Sequence, residues 1–401
     1  MIIRSFTDRS RYSVDTGVCG LFFTLMHKDV FVADIDISDN GAVTGVKNIR
    51  VKEHMPYGTL LKDFVDVKAF GDWWSGRSIP ASRSGIENVM TELGLDNISV
   101  LVRHSMGLSL SDHYWFRPRD SEVSWADVNF FDNDFSDDVG DLLFGNTFVS
   151  GDADLMSPDN TCDGVLRKRW KIMDGRRRLI KGGEPPYFQE PYNEVAASGI
   201  MDLLDIPHAE YSLMKVDGDV CCVCDDFVDD SIEFISASRV MKSVPKRNDR
   251  SSYDHYRSVC GIHGMDMVPF IDKMLAVDHI IANHDRHFNN FGILRDSESL
   301  EWRGPAPIFD SGTSLGSDIP TERLPSGFAD DSKPFAKTFS EQNKLISSLD
   351  WLNTEALGSI PSLLEDVFSP GNGWEFDRRT ECIVRAVESR IGSLIELRRS
   401  P

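Results

Sequence analysis

The sequence predicts an α+β fold in two lobes, preceded by a β-rich amino-terminal part. Strand-like runs come first and helical periodicity later, the order expected of segregated elements rather than of alternating βα units. Two short hairpins are signalled by Asp174-Gly175 and Asp217-Gly218, since Asp-Gly supplies the positive φ angles that two-residue turns require. A continuously apolar stretch, Val268 to Ile281, reads as a buried helix.

The elements follow in chain order. Cys19 to Met26 and Val30 to Ile37 are β-branched, apolar-rich runs split by Lys28-Asp29, and Asp39-Asn40-Gly41 offers a turn into a third strand, Val43 to Val51. A helix is expected over Ser84 to Leu93. Gly107 to Arg117 contains Trp115, and Trp125 to Phe144 mixes aromatic and acidic residues. The acidic run from Asp132 to Asp141 fails as a calcium loop, because Asp137 stands where the loop needs Gly and Leu143 where it needs Glu. Ser150 to Thr161 has the composition of a linker.

Beyond it, Arg169 to Met173 and Arg177 to Lys181 form the first hairpin, and Asn193 to Leu204 a helix with Val195, Ala196, Ile200, Leu203 and Leu204 on one face. Tyr211 to Val216 and Val220 to Phe227 form the second hairpin. A last helix, Arg378 to Arg399, aligns Ile383, Val387, Ile391 and Leu394, and its closing arginines suit the negative end of the dipole. The resulting division is 1–148, an amino-terminal β-rich α+β domain; 149–228, a nucleotide-binding small lobe; and 229–401, a mainly helical catalytic lobe.

The 401 residues carry 41% apolar and 27% charged side chains, a globular balance, and a net charge of −21. That charge repels nucleic acid and anionic membranes unless a local patch overrides it. The one basic cluster, Arg167-Lys168-Arg169 to Arg176-Arg177-Arg178, is short and reads as a solvated face. No apolar stretch reaches the roughly eighteen residues of a membrane span, and Met1 to Ser13 is too polar for a signal peptide, so a cytoplasmic protein is expected. Seven cysteines without framework spacing suit free thiols. Cys221, Cys222 and Cys224 lack a second ligand pair for zinc and read as buried strand residues.

The chemistry is concentrated in the second half. Phosphoryl transfer needs a cradle for the nucleotide phosphates, a cation on them, metal ligands and a group that takes the acceptor's proton. Asp285 and Asn290 have the D-x-x-x-x-N spacing of a kinase catalytic loop, with Asp285 as the base and Asn290 as a magnesium ligand. Twenty residues on, Pro307-Ile308-Phe309-Asp310 ends an apolar run in an acid, a second oxygen ligand for magnesium. Lys181 ends the second strand where it can reach the phosphates, and Glu194, thirteen residues later, can hold its ammonium. Thr161-Cys162-Asp163-Gly164 is the candidate phosphate loop, and Asp226 and Phe227 stand where a hinge would meet adenine. His287 reads as a brace that points Asp285 into the cleft.

Rival motifs are weaker. Gly312-Thr313-Ser314-Leu315-Gly316 matches a nucleophile elbow, but no His follows it to complete a triad. His284 and His287 lack the H-E-x-x-H pattern of zinc hydrolases.

The run Ala282-Asn283-His284-Asp285-Arg286-His287-Phe288-Asn289-Asn290-Phe291-Gly292, followed by Pro307 to Gly312, resembles the core of HipA-like serine/threonine kinases. Asp285, His287, Asn290 and Asp310 fall on that family's pattern. Lys168-Arg169-Trp170, Lys181-Gly182, Asn193-Glu194 and Ser332-Lys333-Pro334-Phe335 are also similar, so the resemblance spans about residues 160–345. It implies a kinase fold related to phosphoinositide 3-kinases, ATP with Mg2+, a protein substrate with a Ser or Thr acceptor, and a small DNA-binding antitoxin as partner. It also implies autophosphorylation of the phosphate loop, at Thr161 or Ser157. The loop's Cys162-Asp163-Gly164 departs from that of the best-known toxin of the family. Two alternatives stand beside this reading. One is a small-molecule or lipid kinase sharing the His-Asp-x-x-x-x-Asn loop. The other is a catalytically silent kinase-fold module whose Trp73, Trp74, Trp115 and Trp125 dock a partner.

Overall fold

A computed structural model of the protein describes residues 21–38, 41–61, 64–95, 98–146, 153–369 and 374–399. The segment Met1 to Ser13, the Asp39-Asn40 part of the expected turn, the start of the expected linker and the expected joint at residues 148–149 lie outside the described residues.

Strands β1 (Leu21–His27), β2 (Val30–Ile37) and β3 (Val43–Lys47) form where the apolar runs place them. A two-residue pair, β4 (Leu60–Leu61) and β5 (Phe64–Val65), leads into α1 (Val67–Ser75), α2 (Ile86–Glu92) and α3 (Ser99–His104). Then come β6 (Tyr114–Pro118), α4 (Trp125–Val128) and α5 (Asp138–Leu143). The sheet runs β3-β2-β1-β6, antiparallel throughout. Asp66 caps α1 by accepting from Ala69 N at 3.0 Å, and the helix lays Phe70, Trp73 and Trp74 on the sheet. Trp74 stacks on Phe116 with centroids 4.0 Å apart. All four tryptophans held out as docking groups are core residues, between 1% and 7% exposed.

The next sheet holds β7 (Lys168–Met173), β8 (Arg176–Lys181), β9 (Tyr211–Val216) and β10 (Asp219–Asp225) in the order β7-β8-β10-β9. Both hairpins turn as Asp-Gly requires, with φ of 51° and 75° at Asp174 and Gly175, and 52° and 95° at Asp217 and Gly218. Cys221, Cys222 and Cys224 lie buried on β10. Helix α6 (Glu190–Leu203) begins three residues ahead of the expected start, because Pro191 suits a first turn that needs no backbone N–H. The arginines of the basic cluster are occupied within the chain: Arg176 and Arg178 pair with Asp225, Arg167 with Asp219, Arg169 with Asp137 and Asp141 of the acidic run, and Arg177 donates to the carbonyls of Phe130 and Asn133.

The remainder contains β11 (Ile232–Ser236), α7 (Ala237–Lys242), α8 (Ser252–Ile262), α9 (Val268–Ile281), β12 (Gly292–Asp296) and β13 (Trp302–Pro305). Helices α10 (Phe339–Gln342), α11 (Thr354–Leu357), α12 (Ile360–Phe368) and α13 (Trp374–Arg399) complete it. Helix α9 is the axis of the largest core, in which Met274, Ile280 and Ile281 meet Ile200 of α6 and Ile383, Val387 and Leu394 of α13. No helix among the described residues is long and apolar enough to cross a membrane.

Candidate active site

Helix α9 ends at Ala282, which adopts a left-handed φ of 50° and turns the chain into the segment His284 to Asn290. The turn is held by Asp278, whose Oδ1 accepts from Asn283 Nδ2 at 2.9 Å, while Asn283 Oδ1 accepts from Asp285 N at 3.1 Å. Arg286, fully buried, is the main tie. Its guanidinium donates to both oxygens of Asp278, to the carbonyl of Asn290 at 3.1 Å, to the carbonyl of Phe309, and to Ser311 Oγ at 3.0 Å. One side chain therefore joins the loop, the helix before it and the segment after β13 that carries Asp310, which is irregular apart from an isolated bridge between Ile308 and His208. Sequence spacing placed the bracing role on His287; the hydrogen bonds to both neighbouring segments run through Arg286. His287 is half-buried on the cleft wall, and its Nδ1 accepts from Asn289 N at 3.3 Å.

Lys181 reaches the same point from β8. Its ammonium lies 2.6 Å from Glu194 Oε1 and 2.8 Å from Asp310 Oδ1, with Lys181 and Glu194 each under 4% exposed. Glu194 Oε2 accepts from Ser311 N at 2.9 Å, so the acid of α6 grips both the lysine and the turn after Asp310. Burial would lower the Lys181 pKa, but Asp310 and Glu194 outweigh it and hold the ammonium well above its ordinary value. Burial likewise raises Asp310, yet Lys181, Lys168 and Arg286 hold its carboxyl below the usual range. Asp310 has a left-handed φ of 59°, a strained backbone of the kind concentrated at functional sites.

Asn290 and Asp310 both line a cleft of about 850 Å³. Asn290 Nδ2 donates to Asp285 O at 3.3 Å, which leaves its amide oxygen as an acceptor, and Asp310 Oδ2 is not the oxygen taken by Lys181. Two hard oxygen donors brought to one cleft fit a magnesium ion. Asp285 is not among the residues that line the cleft, unlike His287, Asn289 and Asn290 of the same loop, and its Oδ1 lies 2.7 Å from Lys333 Nζ.

The candidate phosphate loop also faces the cleft, through Thr161, Asp163 and Gly164. Gly164 has φ of 102°, a backbone conformation that favours glycine, and a Cβ there would displace the mobile end of Lys168. The loop is gripped from the amino-terminal part by Arg83, which donates to the carbonyls of Cys162 and Gly164. Thr161 Oγ1 donates to Leu108 O at 2.8 Å, and Ser157 is fully buried, so both hydroxyls proposed for modification are engaged inside the fold. Asp226 Oδ1 accepts from Val228 N at 3.0 Å; its Oδ2 is shielded and without a hydrogen bond, and burial raises the carboxyl pKa well above the ordinary value. Phe227 packs on Phe309 and Phe234 beside it. Ser314 of the elbow-like motif is buried with its hydroxyl given to Ser311 O, so it is no nucleophile.

Sequence reasoning missed Lys168, Arg83 and Arg286. Lys168 is 7% exposed on the cleft wall; its ammonium has no hydrogen bond or ion pair among the described residues, although its charge acts on Asp310. The signal available for it was its place one strand across from Lys181.

No family model matches the chain. Over 139 residues the sequence is 28% identical to the serine/threonine-protein kinase CtkA of Helicobacter pylori, covering 33% of this chain and 42% of that protein. The chain thus spans less than half the length of that curated relative. The crystal structure of the proinflammatory kinase CtkA from the same organism aligns over 58% of this chain and 90% of its own, with 18% identity and a TM-score of 0.46. HipA of Shewanella oneidensis, solved with HipB and operator DNA, aligns over 94% of this chain and all of its own, with 11% identity and a TM-score of 0.52. The chain has the HipA fold, an α+β kinase architecture behind a β-rich amino-terminal part, and the similarity to HipA-like kinases read from its motifs holds.

Proposed function

We propose that the protein is an ATP- and magnesium-dependent serine/threonine protein kinase. The observation that carries this is the Lys181 ammonium seated between Glu194 and Asp310, while Arg286 holds the Asn290 and Phe309 backbones to one another. This supports a reading in which a cation, Lys181, and two oxygen donors, Asn290 and Asp310, share one cleft, with the Asp285 carboxylate carried by the same loop as Asn290.

In this reading Lys181 and Lys168 bind the nucleotide phosphates from the strands, and the backbone of the 161–164 loop covers them. Asp226 and Phe227 bound the adenine end. Asn290 and Asp310 hold magnesium, which neutralises charge on the phosphoryl group in transfer. Asp285 accepts the proton of the attacking Ser or Thr hydroxyl, and Lys333 keeps that carboxylate aimed. The cytoplasm, which supplies ATP and keeps the free cysteines reduced, is the compartment that suits this chemistry. A small DNA-binding antitoxin is the partner class suggested by HipA, whose solved complex contains HipB and operator DNA. Autophosphorylation at Thr161 or Ser157 requires the 157–164 segment to leave its present packing.

Incubation with labelled ATP and magnesium, comparing the native chain with Asp285→Ala and Asp310→Ala, tests the proposal. Label on protein Ser or Thr that both variants lose supports it. Transfer to a small amine-bearing acceptor with none to protein replaces it by the small-molecule reading, and absence of ATP binding and turnover sinks both.

A further inference from the structure

Away from the cleft chemistry, three titratable side chains from distant parts of the chain converge at the seam between the amino-terminal sheet and the β11–β13 sheet. His27 ends β1, His113 precedes β6, and Glu233 stands on β11; they are 1%, 0% and 0% exposed. Backbone hydrogen bonds bring them there, Lys28 N to His113 O at 3.0 Å and Phe234 N to Ser111 O at 2.9 Å. One ligand-type atom from each lies within 4.8 Å of the others.

The proton inventory of this cluster is short by one cation. His113 Nε2 lies 3.1 Å from the carbonyl oxygen of Asp229, which can only accept, so the hydrogen of the neutral ring sits on Nε2. Its Nδ1 then carries a lone pair. That atom is buried without a hydrogen-bond partner and points at Glu233 Oε2, 3.6 Å away, which also offers only lone pairs. His27 Nε2 approaches the same oxygen at 3.1 Å. The remaining polar atom of each side chain is already engaged. His27 Nδ1 meets His54 Nδ1 at 2.8 Å, His113 Nε2 meets Asp229 O, and Glu233 Oε1 accepts from Arg295 Nε at 2.5 Å.

We infer that His27 Nε2, His113 Nδ1 and Glu233 Oε2 form a site for a divalent transition-metal ion of the zinc class. Two imidazoles and one carboxylate are a zinc donor set, and bonds of about 2.0–2.1 Å place tetrahedral ligand atoms roughly 3.3 Å apart, close to the two separations seen here. Ligand atoms held in orientation by outer partners are the usual surroundings of such a site. All-oxygen cations such as magnesium and calcium are disfavoured by the two nitrogens. Arg295 takes Oε1 and leaves Oε2, so the carboxylate binds through one oxygen. Glu233 and Arg295 are also among the residues that line the large cleft. Bound metal ties β1 and the β6 approach to β11, holding the amino-terminal sheet against the part that carries the catalytic loop.

The competing cation is a proton on His113, and the full-length native chain distinguishes the two. Purified without chelator or affinity histidines, it is expected to contain about one zinc per chain. Chelation lowers the unfolding midpoint by several degrees, and Zn2+ restores it where Mg2+ does not. His113→Gln, and separately His27→Gln, lose that equivalent, which separates the site from zinc held by cysteines. A native chain free of metal whose midpoint ignores added Zn2+ overturns the inference, as does equal zinc binding by the native chain and either variant.

Discussion

Lys168 and Lys181 stand directly opposite one another on the antiparallel strands β7 and β8. Lys181 is neutralised by Glu194 and Asp310, whereas Lys168 has no ion pair among the described residues and is also buried. Like charges facing across a sheet are unfavourable, so the second lysine is explained by an anion that arrives later. Lys168→Met is therefore expected to weaken binding of a non-hydrolysable ATP analogue by tenfold or more, about 1.4 kcal/mol or greater. The nucleotide-free chain should unfold at the same or a higher temperature. Calorimetric titration alongside a thermal melt reads both, and unchanged affinity removes Lys168 from the phosphate site.

Arg286 makes its bonds with no exposed surface, and most of its partners are a buried carboxylate and backbone carbonyls. Removing it leaves Asp278 charged and unpaired inside the core. Arg286→Ala is expected to lose about 3–5 kcal/mol of stability, the usual penalty for breaking a buried pair from one side. Arg286→Lys should recover little, because an ammonium cannot span Asp278, Asn290 and Phe309 as the planar fork does. Urea unfolding of the three proteins gives the comparison, and a lysine variant as stable as the native chain contradicts the bridging role.

These two residues also mark what is legible in the sequence. Asp174-Gly175 and Asp217-Gly218 announce their hairpins because positive φ is a local demand, and α9 shows itself by unbroken apolar periodicity. Lys181 with Glu194, and Asp285 with Asn290 and Asp310, are readable as two groups because the spacing within each is short, although the chain between Glu194 and Asp285 is long. Arg286 and Arg83 look like any arginine, since their meaning lies in carbonyls at Phe309 and Gly164, which no spacing rule connects to them. Helix α1 was missed although Phe70, Trp73 and Trp74 have helical spacing behind the Asp66 cap; its nine residues include Gly71, which weakens the pattern. Strands β11 to β13 are four or five residues long and gain their identity from pairing with each other. The histidine–glutamate cluster joins residues 27, 113 and 233, a separation that leaves no local trace.

His279 carries a pH dependence whose direction follows from its surroundings. It sits on α9 against α13, with Nδ1 accepting from Asn343 Nδ2 at 3.0 Å and Nε2 donating to Arg390 O at 3.2 Å. Burial first, and then the Arg390 charge, push its pKa down to about 4. The folded state thus resists protonation that the unfolded chain accepts near pH 6.5. Its contribution is present above that pH and is lost as the pH falls toward 4. Between pH 7 and pH 5 this group alone removes roughly 1–2 kcal/mol. Denaturant midpoints at the two pH values should differ accordingly in the native chain and less in His279→Gln. Identical pH slopes for both proteins would assign the effect to other groups.

Lys333 presents the last relationship with a measurable consequence. Its ammonium lies 2.7 Å from Asp285 Oδ1, and the backbone that delivers it is held by Gln342, which is 2% exposed and donates to the carbonyl of Lys333 and to Ser332 Oγ. Both members of the pair are partly open to solvent, with side chains 53% and 41% exposed, so its worth to stability is small. A surface pair worth little to the fold, yet supported by a buried glutamine, points to a positioning role for the carboxylate that takes the acceptor's proton. Lys333→Met is therefore expected to reduce kcat by about ten- to a hundredfold, a part of the roughly hundred- to ten-thousandfold that a general base contributes, with little change in the KM for ATP, because Lys333 is not among the residues that line the cleft. Gln342→Ala should reproduce part of that loss through the backbone it no longer holds. Asp285→Asn should remove activity altogether while leaving ATP-analogue binding in place. Steady-state kinetics on the three variants separates these outcomes, and a Lys333→Met enzyme with native kcat, or one whose defect lies wholly in the KM for ATP, would falsify the positioning role.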